Sequence, residues 1–283
     1  MKQADAVIFA ICGRQACLMI TCVTITQPGR SRLLAEAVAD FSAQTFADRE
    51  LLIVHAGDAA FGVEIAAMIA PFSSPAAPPI RVIAAGTAPR PTLGELRNIA
   101  TREAAGEWIC LWDDDDRYHP ERLAVQWNAA RSQDAAFCFL VDQLHWFEAS
   151  SELFWEDWQS ETYPLNFAQG SMLARRDLLP RYPTLARGEG APLCWQIALG
   201  AESGDYKIAR LRSAGWCYLY RHHGGNAWDE AHHRAIASVR TMSPARLLAQ
   251  LYVLQARLAE FKPGLPALNM QVGAMVAGFK GNQ

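Results

Sequence analysis

Glu107-Trp108-Ile109-Cys110-Leu111-Trp112-Asp113-Asp114-Asp115-Asp116 joins a short apolar run to four consecutive acids. Residues 107–112 have the composition of a buried strand, and a block of like charge cannot follow them into a core, so the strand stops at the aspartates. On the amino side, residues 19–26 are a β-branched strand run, and residues 30–44 set Leu33, Leu34, Ala37, Val38 and Phe41 at helical spacing. Residues 51–55 read as a strand, 62–70 as a helix, 72–79 as a Ser/Pro-rich loop and 80–85 as a strand. A helix over 92–105 then puts Leu93, Leu96, Ile99 and Ala100 on one side. Beyond the aspartates, Pro120 suits the first turn of a helix over 121–132. This alternation predicts an α/β fold, a mostly parallel sheet flanked by helices on both faces. Such sheets bind ligands beyond the carboxyl ends of their strands, where the four aspartates stand.

After residue 134 the rhythm weakens. A strand over 135–141 precedes an aromatic stretch containing Trp146, Phe147, Trp155 and Trp158. Then come a short strand near Met172, a helix over 194–199, strands over 207–211 and 216–220, and a helix over 244–261. The second half is therefore α+β in character, with no internal repeat.

The chain has 283 residues, 51% apolar and 19% charged, with 26 Lys+Arg against 29 Asp+Glu and a net charge of -3. That composition supports a substantial core and excludes global disorder. It offers no overall basic field for a nucleic acid backbone. Seven cysteines are odd in number and scattered, without zinc-ribbon spacing, and read as buried thiols of a reducing, cytoplasmic compartment. Residues 15–29 are too short to span a bilayer, and 263–279 contain two prolines with Asn269 and Gln271. Residues 1–18 read as a loosely ordered extension, since only Lys2 precedes the apolar piece 6–12 and Asp5 interrupts it.

Two carboxylates about 4 Å apart repel by roughly 4 kcal/mol at an effective dielectric near 20. A divalent cation offsets that repulsion, and hard oxygen ligands favour Mg²⁺ or Mn²⁺ completed by substrate phosphates. A solvated run favouring the positive end of the following helix is the plainer alternative.

The stretch from Leu111 to Leu123, which continues past the aspartates as Arg117-Tyr118-His119-Pro120-Glu121-Arg122-Leu123, resembles the L-D-x-D-D-x-x-x-P-x-x-L segment of family 2 glycosyltransferases with the GT-A fold. Gly94-Glu95-Leu96-Arg97-Asn98-Ile99-Ala100 with Ala105-Gly106-Glu107-Trp108-Ile109 is similar to that family's approach to the same strand. Thr24 to Arg30, and Ala43-Gln44-Thr45-Phe46 through Val54, are similar to its opening. The likeness runs in order over about residues 19–125.

The resemblance implies a metal-dependent, inverting transferase that uses a nucleotide-sugar donor and a glycan, lipid-linked or small hydroxyl acceptor. It places Asp113 and Asp115, with His223 from the Tyr220-to-Trp228 stretch, on the metal. Thr26, His55, Asp58, Arg97, Asn98, Asp114 and Asp116 fall to the donor. Glu189, in Arg187-Gly188-Glu189-Gly190, matches the acid that deprotonates the acceptor. Trp155 and Trp158 are candidate acceptor platforms, with core packing as the alternative. The implied division is a donor half over 19–134, an acceptor-side half of the same domain over 135–243, and a C-terminal helix and tail over 244–283. No nucleic acid partner is expected, and contact with a membrane is expected to be peripheral at most.

Two departures stand out. His55-Ala56-Gly57-Asp58 replaces the usual D-D-G-S, which leaves base recognition open, and Gly190 replaces the acid after Glu189. These leave a catalytically degenerate carbohydrate-binding protein as one alternative. A sugar nucleotidyltransferase is another, although Gln27-Pro28-Gly29-Arg30 makes a poor triphosphate cradle. No G-x-G-x-x-G follows the first strand, which disfavours a dinucleotide-binding oxidoreductase.

Overall fold

Alternating apolar runs and amphipathic segments build, in order, β1 (Ile20–Thr26), α1 (Ser31–Ser42), β2 (Arg49–His55), α2 (Ala59–Ile69), β3 (Ile80–Ala84), α3 (Leu93–Glu103) and β4 (Trp108–Leu111). The computed structural model describes residues 19–87, 89–273 and 275–281, so the extension expected over 1–18, with Cys12 and Cys17, lies outside the described residues. β2 is buried at every position because helices cover both of its faces. Its side chains divide with period two: Leu51 and Ile53 pack with Leu34, Phe41 and Phe61 of α1 and α2, whereas Leu52 and Val54 pack with Leu96 and Ala100 of α3. Each such fully buried aliphatic side chain contributes about 1.5–3 kcal/mol of transfer free energy.

β5 (Arg117–Tyr118) and α4 (Arg122–Ser132) follow the aspartates, and β6 (Phe137–Leu140), β7 (Asp142–Phe147), β8 (Glu152–Asp157), β9 (Leu173–Arg175), α5 (Gly190–Glu202) and β10 (Ile208–Leu211) continue the chain. The last elements are β11 (Tyr218–His222), α6 (Glu230–Arg240), α7 (Pro244–Leu258), β12 (Leu268–Val272) and β13 (Met275–Phe279). Seven strands form one sheet in the order β10-β6-β9-β4-β1-β2-β3. It is parallel except for β9, which runs antiparallel to both β4 and β6. The predicted mostly parallel, helix-flanked sheet is therefore present, and the two halves of the chain share it.

A second sheet, β13-β12-β8-β7-β11-β5, had no counterpart in the sequence reading. Its β7–β8 hairpin is the aromatic stretch, turning at Ser151 in the left-handed region (φ 56°). The strand expected over 216–220 begins later, as β11. Gly215 is held first by its N–H to Asp142 Oδ2 (2.9 Å), and a Cβ there would lie 2.7 Å from that carboxylate. β11 pairs with β5 through Tyr218–Tyr118 and so delivers the following loop, with His223, to the aspartates.

Cys22, Cys110, Cys138, Cys194 and Cys217 are buried free thiols, as expected of small core residues. Among the described residues no helix is long and apolar enough to cross a membrane.

α3 is clamped to the segment leading to Glu189. Asn98 Nδ2 donates to the Tyr182 carbonyl (2.8 Å), Asn98 Oδ1 accepts from the Tyr182 N–H (2.9 Å), and the Gly94 N–H donates to Leu185 O (3.1 Å). A Cβ on Gly94 would stand 1.8 Å from the Pro183 carbonyl oxygen. Gly94→Ala is expected to cost about 1–3 kcal/mol, as overpacking against backbone does, measured by urea unfolding. Unchanged stability would mean that the contact is loose.

Candidate active site

The chain leaves β4 over a tightly held Trp112. Its backbone N–H donates to Val23 O (3.0 Å), its carbonyl accepts from the Thr24 hydroxyl (2.6 Å), and its indole N–H donates to Ala37 O (2.9 Å). The four aspartates that follow are apportioned to different partners. Asp113 meets Arg97 (3.1 Å), and its carbonyl accepts from the Tyr118 hydroxyl (2.9 Å). Asp114 Oδ1 meets Arg30 (2.6 Å), while its buried Oδ2 has no hydrogen-bond partner. Asp115 Oδ2 meets both Arg30 (3.1 Å) and His223 Nε2 (3.2 Å). Asp116 accepts from the Tyr218 hydroxyl (2.7 Å) and the Arg221 N–H (2.9 Å).

Beneath the run lies Arg122, fully buried, with its guanidinium 4.5 Å from the Tyr118 ring centroid, 5.0 Å from Tyr218 and 5.3 Å from Trp112. Its Nε donates to Gln126, and its two terminal nitrogens have no hydrogen-bond partner. The ring faces therefore supply its electrostatic company. Arg221, equally buried, pairs with Glu36 (2.7 Å) and donates through Nε to Asp115 O (2.7 Å).

Burial raises the Asp113 pKa, with Asp115 and Glu189 adding to it against Arg97. Burial and the charge of Asp115 push Asp114 up to about 7, against Arg30. Burial also raises Asp116 well above the usual carboxylate range. Asp115 goes the other way: burial opposes ionisation, but the His223 hydrogen bond and Arg30 outweigh it and hold the pKa low. The run thus contains one firmly ionised carboxylate, accessible over 14% of its side chain, among more reluctant neighbours.

Arg97 is buried, and its guanidinium spans Asp113 (3.1 Å) and Glu189 (3.3 Å). Glu189 is 4% exposed and immediately precedes α5. Its loop reaches the His223 loop through Arg187, which lies 4.7 Å over the Trp228 ring. Asp113, Asp115, His223, Arg97 and Glu189, expected from sequence, therefore stand in one connected constellation.

Other expected residues do not join it. His55 is buried; its Nδ1 accepts from the Gly57 N–H (3.2 Å), and its Nε2 is directed at Gly62 of α2. Asp58 caps α2 by accepting from the Phe61 N–H (3.0 Å), so both side chains have local structural partners. Asn98 is spent on the Tyr182 clamp. Asp116 is corrected from a donor contact to a structural acid, because it is 1% exposed and both oxygens accept from protein donors. Trp155 is corrected as well: it is 1% exposed, packed in the core with its indole N–H on Asp142 (2.7 Å), and offers no face to a sugar. Trp158 carries the Arg240 guanidinium 4.3 Å from its ring. Arg30, Arg122, Arg221, Tyr118 and Tyr218 escaped the sequence reading, because their proximity follows from the adjacency of β1 with β4 and of β5 with β11.

The donor set suits a hard divalent cation in part. Asp113 and Asp115 bring carboxylate oxygens, His223 brings Nε2 against Asp115, and Asp114 Oδ2 is a buried acceptor without a donor. Among the described residues no three His, Cys, Asp or Glu side chains already surround a common point. Such a set fits an ion that completes its shell with a ligand's oxygens rather than one in a closed protein cage.

The model described as "Glycosyl transferase family 2" matches residues 23–174. S. aureus TarS 1-349 in complex with UDP has a TM-score of 0.54 at 13% identity, covering 86% of this chain and 66% of that one. The same protein in complex with UDP-GlcNAc gives 0.55 at 14%, covering 86% and 67%. The mannosyltransferase PcManGT from Pyrobaculum calidifontis, in complex with GDP-Man and Mn²⁺, gives 0.54 at 13%, covering 78% and 62%. At these identities the likeness is one of fold, and the chain spans 66% of the length of the first. No curated protein matches the chain.

The raised Asp114 pKa has a thermodynamic consequence. The native state keeps a proton that the unfolded chain releases near 3.8, so the stabilisation is complete below about pH 4 and is lost as pH rises through about 7. In chelator, the melting midpoint of the wild type relative to Asp114→Asn is expected to fall across that window. A difference that stays flat with pH rules out the raised value.

Proposed function

Since the chain belongs to glycosyl transferase family 2, we propose that it transfers a sugar from a nucleotide-diphosphate donor to a hydroxyl acceptor, with Mn²⁺ or Mg²⁺ and with inversion. The observation that carries this reading is the Arg97 guanidinium, which ties Asp113 of the aspartate run to Glu189 across the site. One cation thereby fixes the acid of the donor side and the acid of the acceptor side relative to each other.

Asp113, Asp115 and His223 would hold the divalent ion, which would supply positive charge to the departing diphosphate. Asp115 is suited to this work because its His223 hydrogen bond and Arg30 hold its pKa low against burial, whereas burial raises the pKa of Asp113, Asp114 and Asp116. Glu189 takes the proton of the acceptor hydroxyl as that oxygen attacks the anomeric carbon. Arg97 orients Glu189 through their 3.3 Å ion pair. Because Glu189 is nearly enclosed, its carboxylate meets little competing water. A single displacement by a hydroxyl held opposite the leaving group inverts the anomeric centre, and fixing both partners lowers the barrier through positioning.

Residues 19–134 form the donor side in this reading, 135–243 the acceptor side, and 244–283 a C-terminal helix and tail. His55 accepts from the Gly57 N–H in a short turn, and Asp58 caps α2 through Oδ1. The buried free thiols support a cytoplasmic setting.

Thermal shift against a panel of nucleoside diphosphates, with and without Mn²⁺, tests the donor class. Asp115→Ala is expected to lose the Mn²⁺-dependent shift while folding normally, and a retained shift would exclude Asp115 as a ligand. Glu189→Gln is expected to slow transfer by about 100- to 10,000-fold with donor binding intact. Normal turnover in that variant would remove Glu189 from the mechanism.

A further inference from the structure

Arg30 is, among the described residues, the guanidinium that reaches the carboxylates of two members of the aspartate run. Its NH1 lies 2.6 Å from Asp114 Oδ1 and 3.1 Å from Asp115 Oδ2, and its NH2 donates to the Gly225 carbonyl at 3.2 Å. That carbonyl belongs to the loop carrying His223. We propose that Arg30 is a tethered stand-in cation: it neutralises the pair Asp114 and Asp115 in the metal-free protein and is displaced from Asp115 when a divalent ion binds. This inference rests on the metal reading given above.

Three features separate Arg30 from the other arginines of the site. Arg122 and Arg221 are fully enclosed and Arg97 nearly so, whereas 20% of the Arg30 side chain is exposed, so it has a way out into solvent. It follows Gly29, which has φ 90° and no neighbouring atom within 4 Å of the position a Cβ would take, so the turn from β1 to α1 is unobstructed there. Finally, it competes for the same atom: Asp115 Oδ2 already accepts from Arg30 and His223, and a metal taking that lone pair must exchange with a donor. Arg97 sits on Asp113 and can remain there, since Asp113 Oδ1 is its contact and the second oxygen carries no such bond.

Without a cation between them, Asp114 and Asp115 would face each other across a poorly solvated gap. An arginine fork reduces that cost but cannot ligate. The tether thus keeps the loop ordered in the absence of metal and lowers the apparent metal affinity by the cost of its own displacement.

Mn²⁺ binding to the donor-free protein, followed by the EPR signal of unbound Mn²⁺, reads this directly. Arg30→Gln is expected to bind Mn²⁺ about tenfold more tightly than wild type, the change that loss of one charge-assisted contact produces. Arg30→Lys, which keeps the charge but loses the fork, should fall between them, and Arg32→Gln, two residues along the chain and exposed, should match wild type. In chelator Arg30→Gln should melt below wild type, and saturating Mn²⁺ should restore it. Equal or weaker Mn²⁺ binding by Arg30→Gln overturns the proposal. If wild type and Arg30→Gln both fail to bind Mn²⁺, the metal reading itself falls and this inference with it; if both bind equally and Asp115→Ala does not, the metal reading survives and only the role of Arg30 is wrong.

Discussion

Four adjacent carboxylates taken out of bulk water are tolerable only if each finds a different source of positive charge or hydrogen bonds, and the end of the molecule beyond β4 is organised by that constraint. Asp113 has Arg97, Asp114 has Arg30, Asp115 has His223 and Arg30, and Asp116 has the Tyr218 hydroxyl and the Arg221 N–H. These partners come from α3, from the turn after β1, and from β11 with its loop. Neutralising the run therefore requires the two sheets to meet there. Leaving one such buried acid unpartnered costs about 3–5 kcal/mol, comparable to a large share of a domain's net stability.

Arg122 adds a second layer to the same solution. It carries no carboxylate of its own, and its planar cation lies against three aromatic faces. Two of those rings send their hydroxyls upward, Tyr118 to the Asp113 carbonyl and Tyr218 to the Asp116 carboxylate. Packing and electrostatics are thus coupled: the rings that solvate the buried cation also set the direction in which the aspartates leave the sheet. The outcome is an asymmetric acidic loop, with Asp116 committed to structure, Asp114 inclined to hold a proton, and Asp115 available as an anion.

Much of this was legible in the sequence. The alternation of runs from Ile20 to Ser132 located the strands and helices of the first half, since each buried strand is covered on both faces and each helix has one apolar side. The position of Asp113 to Asp116 at a strand's carboxyl end followed from the same pattern. Asp113, Asp115, Arg97, Glu189 and His223 were identifiable from ordered motifs, and the structure brings them into one connected constellation. His55, Asp58 and Asn98 carried the right chemistry in the right region, but local geometry spends them on a short turn, a helix cap and a loop clamp. Trp155 illustrates a different limit: composition cannot tell an aromatic platform from an aromatic core, because both are runs of rings, and only the second sheet decides which faces are covered.

Local order along the chain determined the α/β plan, the strand end that bears the acids and the family to which they belong, because periodicity and motif spacing are properties of contiguous residues. The identity of each aspartate's partner was decided by tertiary structure alone. Arg30 lies 84 residues from Asp114, and Tyr218 lies 102 residues from Asp116. Four chemically identical side chains acquire different protonation behaviour through those distant contacts, since a carboxylate's ionisation depends on the solvent and charges around it, and sequence adjacency specifies neither.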